Sequence, residues 1–295
     1  MEKWKEDMLN YIFPTDSQYL DIPKGLAIKY KNIPSRLYKY YKFSKDNKSN
    51  LEKSVIWLSY PENFNDPYDC ALTYSSLDLL NHLFPEEPGD IDNFLKNYNL
   101  PDDERIVMRE RMFEFSKLSI KKSIEELDSA LIDLSRKTTI ISCFCEKKDS
   151  IIMWSHYADN HKGFCVEYDF KSLPFSNWIT LLLYPVIYQD ELLDVTEYIR
   201  RKDEYINNLF SARPAITKSK EWEYEKEWRM VMPFKFSKCE MEWIVPLPSS
   251  IYTGARIEPE NIEYLKQYCK KTKIPLYYSK MNQHIFKIDF EQINV

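Results

Sequence analysis

The sequence predicts an α+β fold: a mixed, mostly antiparallel split β-sheet with an inserted helical segment. Two observations predict it. Short runs rich in β-formers, bounded by Pro, Asn and Asp, recur in both halves of the 295-residue chain. Between them, from about residue 75 to 136, apolar residues take helical spacing, and the block reads as an insertion that caps a sheet.

In chain order, residues 3–13 form a short amphipathic helix, and Pro14 and Pro23 break the stretch after it. Residues 1–34 are expected to be an N-terminal extension, and 35–295 a single domain. The first strand spans Arg36–Phe43. A short helix near Asn50–Ser54 leads to a second strand, Val55–Ser59. Tyr60–Pro67 is turn chemistry, because Asn and Asp bond locally and Pro fixes φ.

Pro85, Pro88, Gly89 and Pro101 interrupt the helical block. Its long helix, 102–136, carries Met112, Phe115, Leu118, Ile120, Ile124, Leu127, Leu131 and Leu134. Acidic residues at its start and Arg136-Lys137 at its end suit the helix dipole. Strands are expected at Thr138–Phe144, Gly163–Phe170, Thr180–Tyr188, Trp228–Pro233, Glu242–Val245, Ile251–Thr253, Leu276–Ser279 and His284–Ile288. Helices are expected at Ser150–Ala158, Glu191–Phe210 and Pro259–Lys271.

Composition excludes several function classes. The four glycines, Gly25, Gly89, Gly163 and Gly254, lie too far apart to share a loop. The G-x-G-x-x-G fingerprint, the P-loop and the G-x-S-x-G elbow are therefore all absent. A bound nucleotide must be held by side chains and strand edges. Net charge is −5, which argues against bulk nucleic-acid binding. Residues 24–53 carry nine Lys/Arg against two Asp/Glu, and residues 60–104 one Lys against eleven Asp/Glu. The basic run could meet an anionic ligand. No apolar stretch approaches membrane-span length and no secretory signal opens the chain. The expectation is a cytoplasmic protein without a membrane partner and with reduced cysteines.

Four patches could carry chemistry: Leu37–Tyr40, Phe64–Pro67, Ser142–Cys145 with Met153–Tyr157 and His161–Cys165, and Lys220–Arg229. Cys143 and Cys145 precede His156, His161 and Cys165. The histidine spacing suits zinc, but C-x-C is tight and no second cysteine pair exists, so no metal is expected. A Cys–His nucleophile could be built from Cys143 or Cys165 with His156 or His161. The richest cluster is Glu225-Lys226-Glu227-Trp228-Arg229, directly before an apolar strand. On a strand edge its two carboxylates would share a face. One could then hold a ribose hydroxyl or orient a nucleophile while the other stabilises developing positive charge.

Several blocks together resemble a bacterial family known as domain of unknown function 2971. They are Leu37-Tyr38-Lys39-Tyr40, Trp57-Leu58-Ser59, Phe64-Asn65-Asp66-Pro67 and Ser142-Cys143-Phe144. Met153 to Cys165, Trp222 to Arg229 and Thr253-Gly254-Ala255-Arg256 complete the set. A more distant likeness is to ADP-ribosyltransferases, carried by Lys39, Ser142 and Glu227 in that order with Glu225 two residues before Glu227. The first of these is Lys39, where such enzymes usually have Arg or His.

The likeness implies a split sheet around an NAD cleft, with Glu227, Glu225, Ser142 and Lys39 as the catalytic set. Lys39 and Arg36 would meet pyrophosphate. Tyr40, Trp154 or Tyr157 would stack on nicotinamide or adenine. His156, Asn65, Asp66 and Arg229 would complete the cofactor site. The implied function is an NAD-consuming transferase or glycohydrolase of the toxin or phage-defence kind, acting on a protein or nucleic-acid acceptor. Two other readings remain: a non-catalytic module that binds a nucleotide, nucleic acid or protein, and a metal-dependent nuclease or hydrolase built on His156 and His161.

Overall fold

Eight strands form the central sheet of the computed structural model, which describes residues 1–75, 78, 89–200, 207, 209–233 and 241–294. They are β1 (Leu37–Tyr41), β4 (Thr139–Cys145), β5 (Phe164–Tyr168), β6 (Leu183–Pro185), β10 (Glu227–Pro233), β12 (Ser250–Thr253), β13 (Leu276–Met281) and β14 (Ile288–Ile293). Their spatial order is β14-β13-β12-β5-β1-β4-β10-β6. Only β12 and β13 run parallel. Three two-stranded ribbons stand beside the sheet: β2 (Val55–Trp57) with β11 (Glu242–Ile244), β3 (Leu72–Thr73) with β8 (Leu193–Asp194), and β7 (Ile187–Gln189) with β9 (Thr217–Ser219).

One junction in the sheet is unlike the others. β1 is zipped to β5 over all five of its residues, and β4 to β10 over seven. β1 and β4 share a single register pair, Tyr38↔Cys145. Beyond it the two strands part, and the sheet opens a wedge between Lys39–Tyr41 and Ser142–Phe144.

Ten helices accompany the strands among the described residues: α1 (Lys3–Ile12), α2 (Ile22–Lys31), α3 (Lys45–Lys53), α4 (Gly89–Leu95), α5 (Asp102–Thr138), α6 (Ile151–Tyr157), α7 (Trp178–Leu182), α8 (Thr196–Ile199), α9 (Ala212–Ala215) and α10 (Pro259–Thr272). None is long and apolar enough to cross a membrane.

The main core joins Leu37, Phe144, Phe164, Val166, Trp228, Met230 and Ile251 of the sheet to Ile56 and Leu58 and to Leu265 of α10. A second core sets Met8, Leu9 and Ile12 of α1 against Ile141, Tyr184 and Val231. Trp4 also stacks on Trp228, with centroids 6.1 Å apart. Residues 1–34 thus pack into the sheet. Ile12 is fully buried, so Ile12→Ala is expected to lower stability by about 2–5 kcal/mol in urea titrations.

Local chemistry explains where elements depart from expectation. Pro23 does not break a helix but opens α2, where its missing N–H costs nothing and Asp21 caps Lys24 N–H. α3 starts as early as Lys45 because Ser44 caps it. The strand expected over Thr180–Tyr188 begins as helix α7, capped by Asn177, and turns extended only at Leu183. His284–Ile288 is mostly turn, since Asn282 accepts the N–H groups of His284 and Ile285.

The helix expected over Glu191–Phe210 is instead strand β8 followed by the single turn α8. Residues 201–206 and 208 of that span lie outside the described residues, as do Pro85 and Pro88. The side chains of Ile120, Ile124, Leu127, Leu131 and Leu134 in α5 also lie outside them. Phe115 and Leu118 of the same apolar series are exposed.

Candidate functional site

The wedge between β1 and β4 opens into a cavity of about 380 Å³. Because the strands have parted, residues from both faces of each reach it: Lys39 and Tyr40 from β1, Ser142 and Cys143 from β4. Glu227 and Arg229 of β10, Lys218 of β9 and Asp69 form one wall. His156 and Tyr157 of α6 form another, and Trp57, Phe64 and Asn65 stand at the side.

The first of these walls is a buried charge network. Arg229 is fully buried and grips Glu227 through two bonds, Nε to Oε1 at 3.0 Å and Nη2 to Oε2 at 3.1 Å. Its Nη1 donates to Asp69 Oδ1 and to Ala215 O. Lys218 Nζ bridges the two glutamates, at 2.6 Å from Glu225 Oε2 and 3.2 Å from Glu227 Oε2. Tyr157 OH donates to Glu225 Oε1 at 2.6 Å and accepts from Asn65 Nδ2 at 3.3 Å.

Glu225 and Glu227 do not meet by strand alternation. Glu225 ends a 3-10 turn, Lys226 takes a left-handed conformation (φ 45°), and only Glu227 belongs to β10. Lys218 is what brings their carboxylates together.

The two carboxyls are pushed in opposite directions. Burial opposes ionisation of Glu227, but the Arg229 and Lys218 cations outweigh it and hold its pKa at about 2. Burial and the neighbouring Glu227 charge raise Glu225, with Lys218 only partly offsetting them. Glu227 is therefore a fixed anion, and Glu225 is the group prepared to take up a proton. Burial, reinforced by Glu227, pushes the Cys143 thiol well up, which keeps it protonated. Burial does the same to Cys165. Neither has the depressed pKa of an activated nucleophile.

Lys39, Ser142, Glu225 and Glu227 all line the cavity, with Tyr40, Asn65, His156, Tyr157 and Arg229. Three other expected residues do not. Arg36 is held between Glu167 Oε1 and Asp169 Oδ2, each at 2.9 Å. Trp154 is fully buried, its Nε1–H donated to Lys148 O and its ring set against Tyr40 and His161. Asp66 is buried and accepts from Tyr68 N–H in its own turn. Within the basic run 24–53, Lys29 is buried on Leu181 O and Arg36 is paired.

His161 Nε2 contacts Ser155 Oγ, and His156 Nδ1 faces Tyr224 OH. Among the described residues, no group of three or more His, Cys, Asp or Glu is gathered to hold a metal ion. No disulfide joins the five described cysteines, and Cys239 lies outside the described residues.

Residues 153–230 match a family model described as protein of unknown function (DUF2971). The DUF2971 match contains His156, Tyr157, Lys218, Glu225, Glu227 and Arg229, and leaves Lys39, Asp69 and Ser142 outside it. No curated protein and no solved structure matches the chain.

Sequence reading missed Lys218 and Asp69, the two residues that complete the charge network. Lys218 sits in Thr217-Lys218-Ser219-Lys220, and Asp69 two residues beyond a proline turn. Both contexts look like solvated surface.

Proposed function

We propose that the cavity binds NAD and breaks its nicotinamide–ribose bond, in the manner of an ADP-ribosyltransferase or glycohydrolase. The observation that carries this reading is the pair Glu225 and Glu227, held on one ammonium and set to opposite protonation tendencies beside aromatic walls. As the C–N bond breaks, its electron pair leaves with nicotinamide and positive charge develops on the ribose. The Glu227 carboxylate stabilises that charge; Arg229 and Lys218 together engage both lone pairs of Oε2, and Arg229 one of Oε1, so the second lone pair of Oε1 is the one beyond their reach. Glu225 takes the proton of the incoming water or acceptor hydroxyl, with Tyr157 orienting it. With water the products are ADP-ribose, nicotinamide and a proton. Tyr40, Tyr157 and Phe64 offer ring faces to the bases. Lys39 and Ser142 offer donors to the ligand's oxygens.

Nicotinamide release from NAD, followed by chromatography, tests the reading. Wild type is expected to turn over, and Glu227→Gln to lose about 100-fold or more, the usual scale for removing a charge-stabilising group. Absence of nicotinamide release from wild type, with no NAD-induced rise in melting temperature, would overturn it. A melting shift without release would assign the cavity to nucleotide binding alone.

A further inference from the structure

We propose that Lys39 is a nucleophilic amine that captures small aldehydes as an imine inside the cavity. Lys39 Nζ lines the cavity and donates to one protein acceptor among the described residues, the carbonyl of Cys143 at 3.0 Å. No carboxylate among them lies within ion-pair distance of it. This sets it apart from Lys218 in the same cavity, which is held by two.

The surroundings of Nζ are aromatic, with the Phe144 ring centroid at 5.2 Å and that of Tyr41 at 5.7 Å. Burial lowers its pKa, with Cys143 and then Glu227 opposing this. A lysine freed of counter-charge in a desolvated pocket is the form in which an amine attacks carbonyls. Ser142 lines the same cavity, is buried, and has no hydrogen-bond partner for Oγ among the described residues. Its hydroxyl is free to donate to a carbonyl oxygen.

The step balances without an oxidant or reductant. The amine lone pair adds to the carbonyl carbon, and the C=O electron pair moves to oxygen, which is protonated. The carbinolamine then loses water as the nitrogen lone pair forms C=N. Aldehyde plus lysine ammonium gives a protonated imine plus water. The ligand class is a short aldehyde or open-chain sugar small enough for a cavity of about 380 Å³. Capture needs no nicotinamide nucleotide, so it stands or falls separately from NAD cleavage.

The test treats the full chain with glyceraldehyde and sodium cyanoborohydride at neutral pH, then maps modified lysines by peptide mass spectrometry over time. Lys39 is expected to be labelled about tenfold or more faster than the exposed Lys45 and Lys147, because its amine faces the cavity in which the Ser142 hydroxyl can meet the carbonyl oxygen. Ser142→Ala is expected to slow Lys39 labelling while leaving Lys45 and Lys147 unchanged. Lys39→Arg, with its fold checked by thermal melting, is expected to remove the fast adduct. Labelling of Lys39 no faster than Lys45 and Lys147 in the folded wild type would overturn the proposal, and that comparison requires no variant.

Discussion

Arg229→Met is expected to destabilise the fold by about 3–5 kcal/mol, the range for removing one partner from a buried ion network. The methionine fills much of the arginine's space, so the loss comes from the charges left behind. Glu227 and Asp69 are both buried, and the guanidinium binds both. Without it, Lys218 is the one cation among the described residues still paired with Glu227, and Asp69 loses the partner of Oδ1 while its Oδ2 already has none among them. Urea titration measures the change. Asp69→Asn added to Arg229→Met is expected to recover part of the loss, because one of the stranded charges is removed.

Acid should separate wild type from variant. In wild type, Glu227 is held at about 2 against an ordinary 4.5. Its stabilising contribution is complete above pH 4.5 and is lost as pH falls toward 2. Glu225 has the opposite sign: its raised pKa means that protonation favours the folded state, so its contribution grows as pH falls. With Arg229 gone, Glu227 moves toward the behaviour of Glu225. The penalty of the variant is therefore expected to shrink between pH 7 and pH 4. A penalty that is equal at both would mean that lost packing, not stranded charge, causes it.

The parts of the fold legible in the sequence were those set by local chemistry. β1, β4, β5, β10 and α10 follow β-branched or amphipathic patterns with turn residues at their ends. The spans that misled were those where a cap decided the outcome, as Asn177 does for α7 and Asn282 for the turn before β14. A capping side chain and a loop asparagine look alike until its partner is known.

The candidate site was legible to the extent that its residues lie on strands whose chemistry is conspicuous, as with Lys39, Ser142 and Glu227. Lys218 was not, because nothing near it in sequence reveals that β7 pairs with β9 and presents its ammonium to Glu225 and Glu227. Arg36 and Trp154 show the converse. Both have the right composition for a nucleotide site, and both are fully occupied by their own neighbours.

The scarce glycines lead to the second large effect. Gly254→Ala is expected to cost about 3 kcal/mol, the upper end for overpacking, and to weaken the NAD binding proposed for the cavity. Neither Gly163 nor Gly254 has positive φ, so backbone freedom is not the reason for them. Close approach is. A Cβ on Gly254 would lie 2.0 Å from the carbonyl oxygen of His161 and 3.0 Å from that of Gly163, and backbone cannot swing aside as a flexible side chain can. The same crossing is tied by Gly254 N–H to Gly163 O at 2.8 Å and Arg256 N–H to His161 O at 2.8 Å. It comes after three successive left-handed residues, Asp159, Asn160 and His161, which deliver the chain from α6 into β5.

Gly163 in turn abuts Tyr41, since a Cβ there would lie 2.0 Å from Tyr41 O. Pushing this crossing apart therefore displaces the end of β1, the strand that carries Lys39 and Tyr40 into the cavity. Thermal melting together with NAD titration checks both halves of the expectation. A variant of wild-type stability would show that the loops yield at little cost. A destabilised variant with unchanged ligand affinity would show that the crossing holds the fold without positioning the cleft.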